Sequence, residues 1–194
     1  ACECYEELEA AGKLDADALI FVNSIASVSL SDEDWASYCE AHSAILPKLV
    51  VEITEEEEMN EQELERKRNV PGATGVFALD DYGSGYSNGN SLLTVAPKYV
   101  KVDIAIIRGI DTDADKQQFL MTLIDYAHPR GVQVLAEGVE TLSELRKVLE
   151  MGVDLLQGYC LARPAAEPGA IDEKAAEVIA EVERQKAERK EAGS

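Results

Sequence analysis

Six short apolar segments of this sequence each end on or beside a side chain that could bind a cation or take part in catalysis. The segments are residues 19–23, 49–52, 76–81, 100–103, 132–137 and 155–157. Together they supply two amides, Asn23 and Gln157, one amine, Lys101, and several carboxylates. Carboxylate and amide oxygens are the ligands that hard divalent cations such as Mg²⁺ prefer. The pattern therefore predicts an enzyme rim suited to metal-assisted chemistry, or the remains of one.

The elements that must position these side chains follow from the hydrophobic pattern. Apolar segments without polar alternation indicate strands that are buried on both faces, as in a parallel sheet. Helical patterns lie between them, at residues 2–11, 31–39, 54–68, 113–124 and 141–149. A capping box at Thr141 and Glu144 opens the last of these helices, and Gly152 is expected to end it. This alternation predicts right-handed β-α-β units of an α/β barrel, whose functional side chains gather at the carboxyl ends of the strands.

The composition limits the classes of function. The formal net charge is −20, which repels a nucleic-acid backbone, so no nucleic acid polymer is expected as a partner. A phosphorylated ligand remains compatible with this charge if cations separate it from the carboxylates. No stretch is apolar for long enough to cross a membrane, and no secretory signal is recognisable, so we expect a cytoplasmic protein without membrane contact from this segment. The four cysteines lack paired zinc-ligand spacing and are expected to be reduced.

The sharpest motif is Asp80-Asp81-Tyr-Gly-Ser-Gly-Tyr-Ser87. Adjacent aspartates at a strand end point in different directions, so one could bridge two cations while the other binds one of them. Gly83 and Gly85 permit the backbone conformations that a tight ligand-covering loop needs. Neither a phosphate-binding lysine nor the spacing of a dinucleotide-binding loop accompanies these glycines.

This motif is one of several blocks that resemble, in the same order, the EAL-domain family of cyclic di-GMP phosphodiesterases. The other blocks are Val22-Asn-Ser24, Val51-Glu-Ile-Thr-Glu55, Tyr99-Val-Lys-Val-Asp103, Ala136-Glu-Gly-Val-Glu-Thr141 and Leu156-Gln-Gly-Tyr159. The resemblance covers roughly residues 1–170. It implies a (β/α)8-type barrel that cuts one phosphodiester of cyclic di-GMP to give the linear dinucleotide, with two Mg²⁺ or Mn²⁺ ions. Residues 171–194 are expected to form a separate charged C-terminal helix and tail, docked by its first turns.

The resemblance also implies roles for individual residues. Asn23, Glu52 and Asp80 would hold the first cation. Asp80, Asp81 and Glu137 would hold the second, with Asp80 bridging. Lys101 would orient or help to deprotonate the attacking water, or neutralise the developing charge.

Four further residues complete the predicted site. Gln157 would bond to water or ligand, and Asp103 would either complete the substrate site or simply cap the following turn. Glu55 and Glu140 would hold the glycine loop and brace the ligands. For Trp35, Tyr86 and Tyr159, packing in the core is expected rather than stacking on a base.

One departure from the family is equally informative. The Glu-Ala-Leu segment for which the family is named, whose glutamate is a metal ligand, does not occur in this sequence. Six strands rather than eight can be counted, so the chain is interpreted as an N-terminally truncated barrel. Unpaired strand edges would then favour self-association or a homodimer, and hydrolysis by this chain alone is expected to be negligible.

The hypothesis from the sequence is a cyclic di-GMP phosphodiesterase domain of a bacterial signalling protein that carries further domains upstream. The alternative is an inactive EAL-like module that binds cyclic di-GMP or a protein partner. A divalent-metal lyase or isomerase with the same barrel fold is a third hypothesis, which the ordered motifs favour least.

Overall fold

The computed structural model describes residues 2–15, 17–23, 32–54, 61–69, 74–84 and 90–192. Within these ranges there are six strands: β1 (Ile20–Asn23), β2 (Leu49–Thr54), β3 (Val76–Tyr82), β4 (Tyr99–Val102), β5 (Gln133–Ala136) and β6 (Leu155–Leu156). The helices are α1 (Cys2–Ala10), α2 (Asp32–Ala41), α3 (Glu61–Arg68), α4 (Asn90–Val95), α5 (Ile104–Ile107), α6 (Ala114–Ala127), α7 (Leu142–Met151) and α8 (Glu173–Ala192). Each of the apolar segments found in the sequence therefore contains or overlaps a strand.

The strands form a sheet in which their order follows the order of the chain. The pairs β1–β2, β2–β3, β4–β5 and β5–β6 are parallel. A parallel connection needs a crossover, and helices α2, α3, α6 and α7 provide these crossovers. The predicted strand–helix alternation is thus confirmed.

The chain divides into two compact units. The first contains residues 1–80 and 86–98. In it, the side chains of Cys2, Tyr5 and Ile45 form a buried cluster that joins α1 to the segment before β2. A neighbouring cluster of Cys39, Leu46 and Leu49 covers β1 and β2.

The second unit contains residues 81–85 and 99–194. Its core contains the buried residues of β4 and β5 and those on the apolar faces of α6 and α7. The four residues of β4 are all buried, as expected of a strand covered on both faces.

Local signals in the sequence position the helices of the second unit. Asp113 caps α6 by accepting hydrogen bonds from the amides of Asp115 and Lys116. Thr141 and Glu144 form the predicted capping box of α7, and Gly152 ends that helix with φ of 100°. A left-handed residue at this position is the usual way for a glycine to stop a helix.

Two sequence-based boundaries are placed differently by the structure. Of the polar helix expected over residues 54–68, the structure describes Glu61–Arg68 as helix, whereas Thr54 is the last residue of β2 and pairs with Asp80. The C-terminal helix docks further along its length than its first turns. Val182 is buried, and Arg146 of α7 bonds to Glu181 of α8 at 2.7 Å.

None of the helices in the described ranges is long and apolar enough to span a membrane.

Gly138 shows how closely the backbone packs at the end of β5. Its φ is +65°, and a Cβ added there would lie 2.3 Å from Cγ1 of Ile104. Gly131 has nearly the same φ, +69°, but a Cβ there would meet nothing within 4 Å. Replacing either glycine would strain the backbone, but only a side chain at residue 138 would also collide with Ile104. Comparing the two positions therefore separates the free-energy cost of the positive φ from that of the steric clash.

We expect Gly138→Ala to lower the free energy of unfolding by about 1–3 kcal/mol more than Gly131→Ala, because only the first substitution overpacks its surroundings. Denaturant unfolding of the two variants measures the difference directly. Equal midpoints for the two variants would show that Ile104 moves aside at little cost.

Candidate metal centre

In the first unit, the sheet register places three potential ligands on one face. Asn23 pairs with Glu52 across β1 and β2, and Glu52 pairs with Ala78 of β3. Paired residues share a face of a parallel sheet, and residues two apart on one strand do as well. Asp80 therefore projects on the same side as Asn23 and Glu52. The predicted first ligand set is brought to one face at the carboxyl ends of three strands.

These three side chains differ in burial. Asn23 is exposed, whereas Glu52 and Asp80 are only 7% and 8% exposed. Buried carboxylates are costly unless cations or hydrogen-bond donors compensate their charge. Their burial at the end of the sheet fits a site that holds divalent cations.

In the second unit, Asp81 and Glu137 approach each other. Each offers a carboxylate oxygen, and these oxygens lie within 4.8 Å of one another. A separation of this size suits two ligands of one cation, since oxygen ligands lie at 2.0–2.6 Å from Mg²⁺ or Ca²⁺. Asp80 precedes Asp81 directly on β3, so the chain itself holds the two aspartates together.

Asp81 adopts a backbone conformation that is uncommon for a residue other than glycine. Its φ is 55°, and Ala96 is the other such residue in the described ranges. Aspartate and asparagine tolerate this left-handed region better than most residues, and strained residues concentrate at functional sites. The positive φ of Asp81 changes the direction of the backbone near the end of β3. That the two aspartates serve different cations stays a prediction.

Lys101 lies between strands rather than on the surface. It is 6% exposed, and its Nζ lies 3.0 Å from Oε1 of Glu137. The register explains this pair, because Lys101 lies opposite Leu135 and Glu137 follows two residues later on the same side. The amide of Glu137 also donates to the carbonyl of Val102 at 3.1 Å, which fixes the start of the loop. The ion pair therefore holds the buried ammonium of Lys101 beside the carboxylate of Glu137.

Asp103 and Gln157 take local structural roles. Asp103 follows β4 and caps α5 by accepting a hydrogen bond from the amide of Ala105 at 2.7 Å. Gln157 follows β6 with an exposed side chain, and its backbone bonds to Ala136 and Val139. The capping alternative for Asp103 is thus observed, while the substrate roles of both residues stay predictions.

Tyr159 departs from the expectation that it packs in the core. Its side chain is 56% exposed, and the guanidinium of Arg163 lies 4.7 Å from the centre of its ring. At the preceding residue, Gly158, a Cβ would lie 2.2 Å from the carbonyl oxygen of Val139, so this turn requires glycine. Tyr86 and the side chain of Trp35 lie outside the described residues.

The two predicted bracing glutamates are placed as follows. Glu140 is exposed and accepts a hydrogen bond from Nη2 of Arg108 at 2.6 Å. Glu55, like residues 85–89, lies outside the described residues. The bracing roles of both remain predictions.

A residue that the site prediction omitted is Glu144. It is 4% exposed, and its carboxylate accepts hydrogen bonds from the amides of Gly109, Glu140 and Thr141. Burial raises the pKa of Glu144, but these hydrogen bonds together outweigh burial and leave the pKa below its usual value. The sequence contained a signal for this residue, the capping box, but that signal indicated only a helix start.

The donors gathered at the ends of the strands are oxygens of carboxylates and amides, without cysteine or histidine among them. Such a set fits Mg²⁺, Mn²⁺ or Ca²⁺ and does not fit a typical zinc site. With a lysine beside one of the carboxylates, the arrangement suits reactions in which negative charge develops on a phosphate or carbonyl oxygen.

Comparisons with known proteins agree with this chemistry. The EAL domain matches residues 3–164, and the chain belongs to the EAL domain family. The probable cyclic di-GMP phosphodiesterase PdeG of Escherichia coli K12 is 32% identical over 118 residues, which cover 60% of this chain and 23% of PdeG. The probable cyclic di-GMP phosphodiesterase PdeN of the same organism is 34% identical, with the same coverage. The chain therefore spans about a quarter of the length of these relatives.

Solved structures show the same fold. A standalone EAL protein from Vibrio cholerae O395, in its c-di-GMP bound form, matches with a TM-score of 0.72 and 25% identity, over 90% of this chain and 77% of that protein. BlrP1 from Klebsiella pneumoniae, in a complex with manganese and cy-diGMP, matches with a TM-score of 0.74 and 26% identity, over 87% and 45% of the two chains. The predicted α/β fold of the EAL type, with six strands, is confirmed.

The positive φ of Asp81 can be tested by measuring protein stability, without any ligand. We expect Asp81→Val to lower the free energy of unfolding by about 1 kcal/mol or more relative to Asp81→Asn, because a β-branched residue is a genuine outlier at positive φ and asparagine is not. Both variants lose the carboxylate, so unfolding midpoints isolate the backbone cost. If the two midpoints coincide, the conformation at residue 81 is not held by the fold.

Proposed function

We propose that the protein is the cyclic di-GMP phosphodiesterase domain of a bacterial signalling protein, acting in the cytoplasm on the cyclic dinucleotide. The observation that carries this proposal is the ion pair between the buried Lys101 and Glu137, with Asp81 beside Glu137, at the carboxyl ends of parallel strands. Family membership and relatives named as cyclic di-GMP phosphodiesterases support the choice of substrate.

We assign the ligands of each cation from the oxygen-bearing side chains at the carboxyl ends of the strands. Asn23, Glu52 and Asp80 would hold the first Mg²⁺ or Mn²⁺ ion. Asp80, Asp81 and Glu137 would hold the second, with Asp80 shared. When bound, two such cations supply the positive charge that favours deprotonation of a water and stabilises in-line attack at phosphorus. A fold neighbour crystallised with manganese and the cyclic dinucleotide supports this choice of cation.

Lys101 is the residue of this chain that would act on the reacting groups themselves. Its buried ammonium is held at a fixed point by Glu137, so it can orient the attacking water by a hydrogen bond or stabilise the charge that develops on phosphate oxygens. Exclusion of water around a charge at 6% exposure strengthens that interaction. Gln157, exposed on the turn after β6, would complete the site by bonding to water or to the ligand.

A second function has an observation of its own in its favour. The sequence has no Glu-Ala-Leu segment, so one ligand expected from the family is missing from the 194 residues. Such a chain could bind cyclic di-GMP or a protein partner without cutting the phosphodiester. We expect negligible hydrolysis by this chain alone, and hydrolysis by a longer protein that supplies the glutamate. Self-association and upstream signalling domains are part of the same proposal.

The metal assignment is tested by replacing the shared ligand. We expect Asp80→Asn, in the longest form of the protein that hydrolyses cyclic di-GMP, to lose at least about a hundredfold in kcat, because it removes negative charge from both cation sites. Chromatographic detection of the linear dinucleotide in the presence of Mn²⁺ measures the loss. The matched control is Asp125→Asn, an exposed aspartate of α6. Near-normal turnover in Asp80→Asn would refute the assignment.

The role of Lys101 is tested by separating turnover from binding. We expect Lys101→Ala to lower kcat by about a hundredfold or more while KM changes only a few-fold, because the proposed interactions strengthen in the transition state. The control is Lys147→Ala, which removes a partly exposed lysine that is paired with Glu150 on α7. A large rise in KM with unchanged kcat would instead identify Lys101 as a residue that only binds phosphate.

A further inference from the structure

The carboxylate of Glu144 joins two separate segments of the second unit. Its Oε2 accepts hydrogen bonds from the amides of Glu140 and Thr141, each at 3.0 Å. Its Oε1 accepts a hydrogen bond from the amide of Gly109 at 2.8 Å. The first contacts belong to the start of its own helix, but Gly109 lies 35 residues earlier in the chain.

The two joined segments carry the two members of the buried ion pair. Gly109 belongs to the turn after α5, which follows β4 and Lys101. Glu140 and Thr141 belong to the loop that begins at Glu137. Fixing these segments to one carboxylate fixes the ends of β4 and β5 against each other.

An exposed ion pair between Arg108 and Glu140 links the same segments at the surface. Exposed pairs of this kind contribute about 0–1 kcal/mol, because solvent screens them and two long side chains must be ordered. Glu144 is buried, and its carboxylate accepts hydrogen bonds from the amides of Gly109, Glu140 and Thr141. Removing the acceptor of a buried hydrogen bond costs more than breaking an exposed pair. The buried carboxylate is therefore the stronger of the two connections.

We propose that Glu144 is a positioning residue, which sets the distance between Lys101 and Glu137 by clamping the Gly109 turn to the Glu137–Thr141 loop. This inference rests on the proposed function in its consequences for kinetics and for Mn²⁺ binding. The clamp itself is a property of the folded chain.

The simpler structural explanation is that Glu144 only caps the N-terminus of α7. Thr141→Ala is the matched control for that alternative, since the Thr141 side chain forms the other half of the capping box and has no bond to Gly109. Loss of an N-terminal cap typically costs about 1 kcal/mol. A pure cap would make the two alanine variants equivalent in every measurement.

We expect Glu144→Ala to increase amide hydrogen exchange at residues 108–110 by at least about tenfold, and to weaken Mn²⁺ binding by about ten- to a hundredfold, as losses of groups that orient metal ligands commonly do. Thr141→Ala should leave both quantities within about twofold of the unsubstituted protein. Mn²⁺ affinity is measured by calorimetry, and exchange by mass spectrometry on the metal-free and Mn²⁺-loaded protein. In the same protein, kcat should fall more than KM rises.

Equal exchange at residues 108–110 in Glu144→Ala and Thr141→Ala, or unchanged Mn²⁺ affinity, would overturn the clamp. If Glu144→Ala does not fold, Glu144→Gln takes its place. Its single carbonyl oxygen can serve only one of the two segments, so either residues 108–110 or residues 140–141 should lose protection. Retention of both would overturn the proposal. Absence of hydrolysis by a longer form of the protein that supplies the missing glutamate would instead refute the proposed function and leave the exchange test intact.

Discussion

The ion pair between the buried Lys101 and the partly buried Glu137 is the interaction on which the proposed chemistry depends. A charge withdrawn from water is costly to desolvate unless an opposite charge compensates it. The 3.0 Å separation between Nζ of Lys101 and Oε1 of Glu137 provides such compensation. In the proposed reaction, an ammonium held in this way needs little reorganisation when charge develops on a phosphate.

The parallel sheet is what makes this arrangement possible. Residues at equivalent positions of neighbouring strands share a face, so a single register relation brings Asn23 beside Glu52 and a second brings Lys101 toward Glu137. The close backbone contacts at Gly138 and Gly158 then let the chain leave β5 and β6 without a side chain in the way. The polar ends of the strands are thus presented by a rigid, apolar core, which is how α/β enzymes generally separate stability from function.

Glu144 shows that a helix-capping residue can also bond to a segment that is distant in the sequence. A capping box requires only that its glutamate bond to amides at the start of its own helix. Here the second carboxylate oxygen is used by the turn after α5, so one side chain serves two elements. Because the pattern in the sequence is the same in both cases, the longer connection cannot be recognised without the fold.

The sequence by itself determined the strands and most of the candidate site, because buried parallel strands leave continuous apolar segments and their polar ends stand out against them. It also determined the caps of α6 and α7, which depend only on neighbouring residues. Thr54 was assigned to a helix because its neighbours are polar, whereas pairing with Asp80 extends β2 through it. The left-handed backbone of Asp81, the outward turn of Tyr159 and the bond from Gly109 to Glu144 were decided by tertiary structure alone. The bond from Gly109 to Glu144 joins residues that are 35 positions apart, and local propensity carries no information about such contacts.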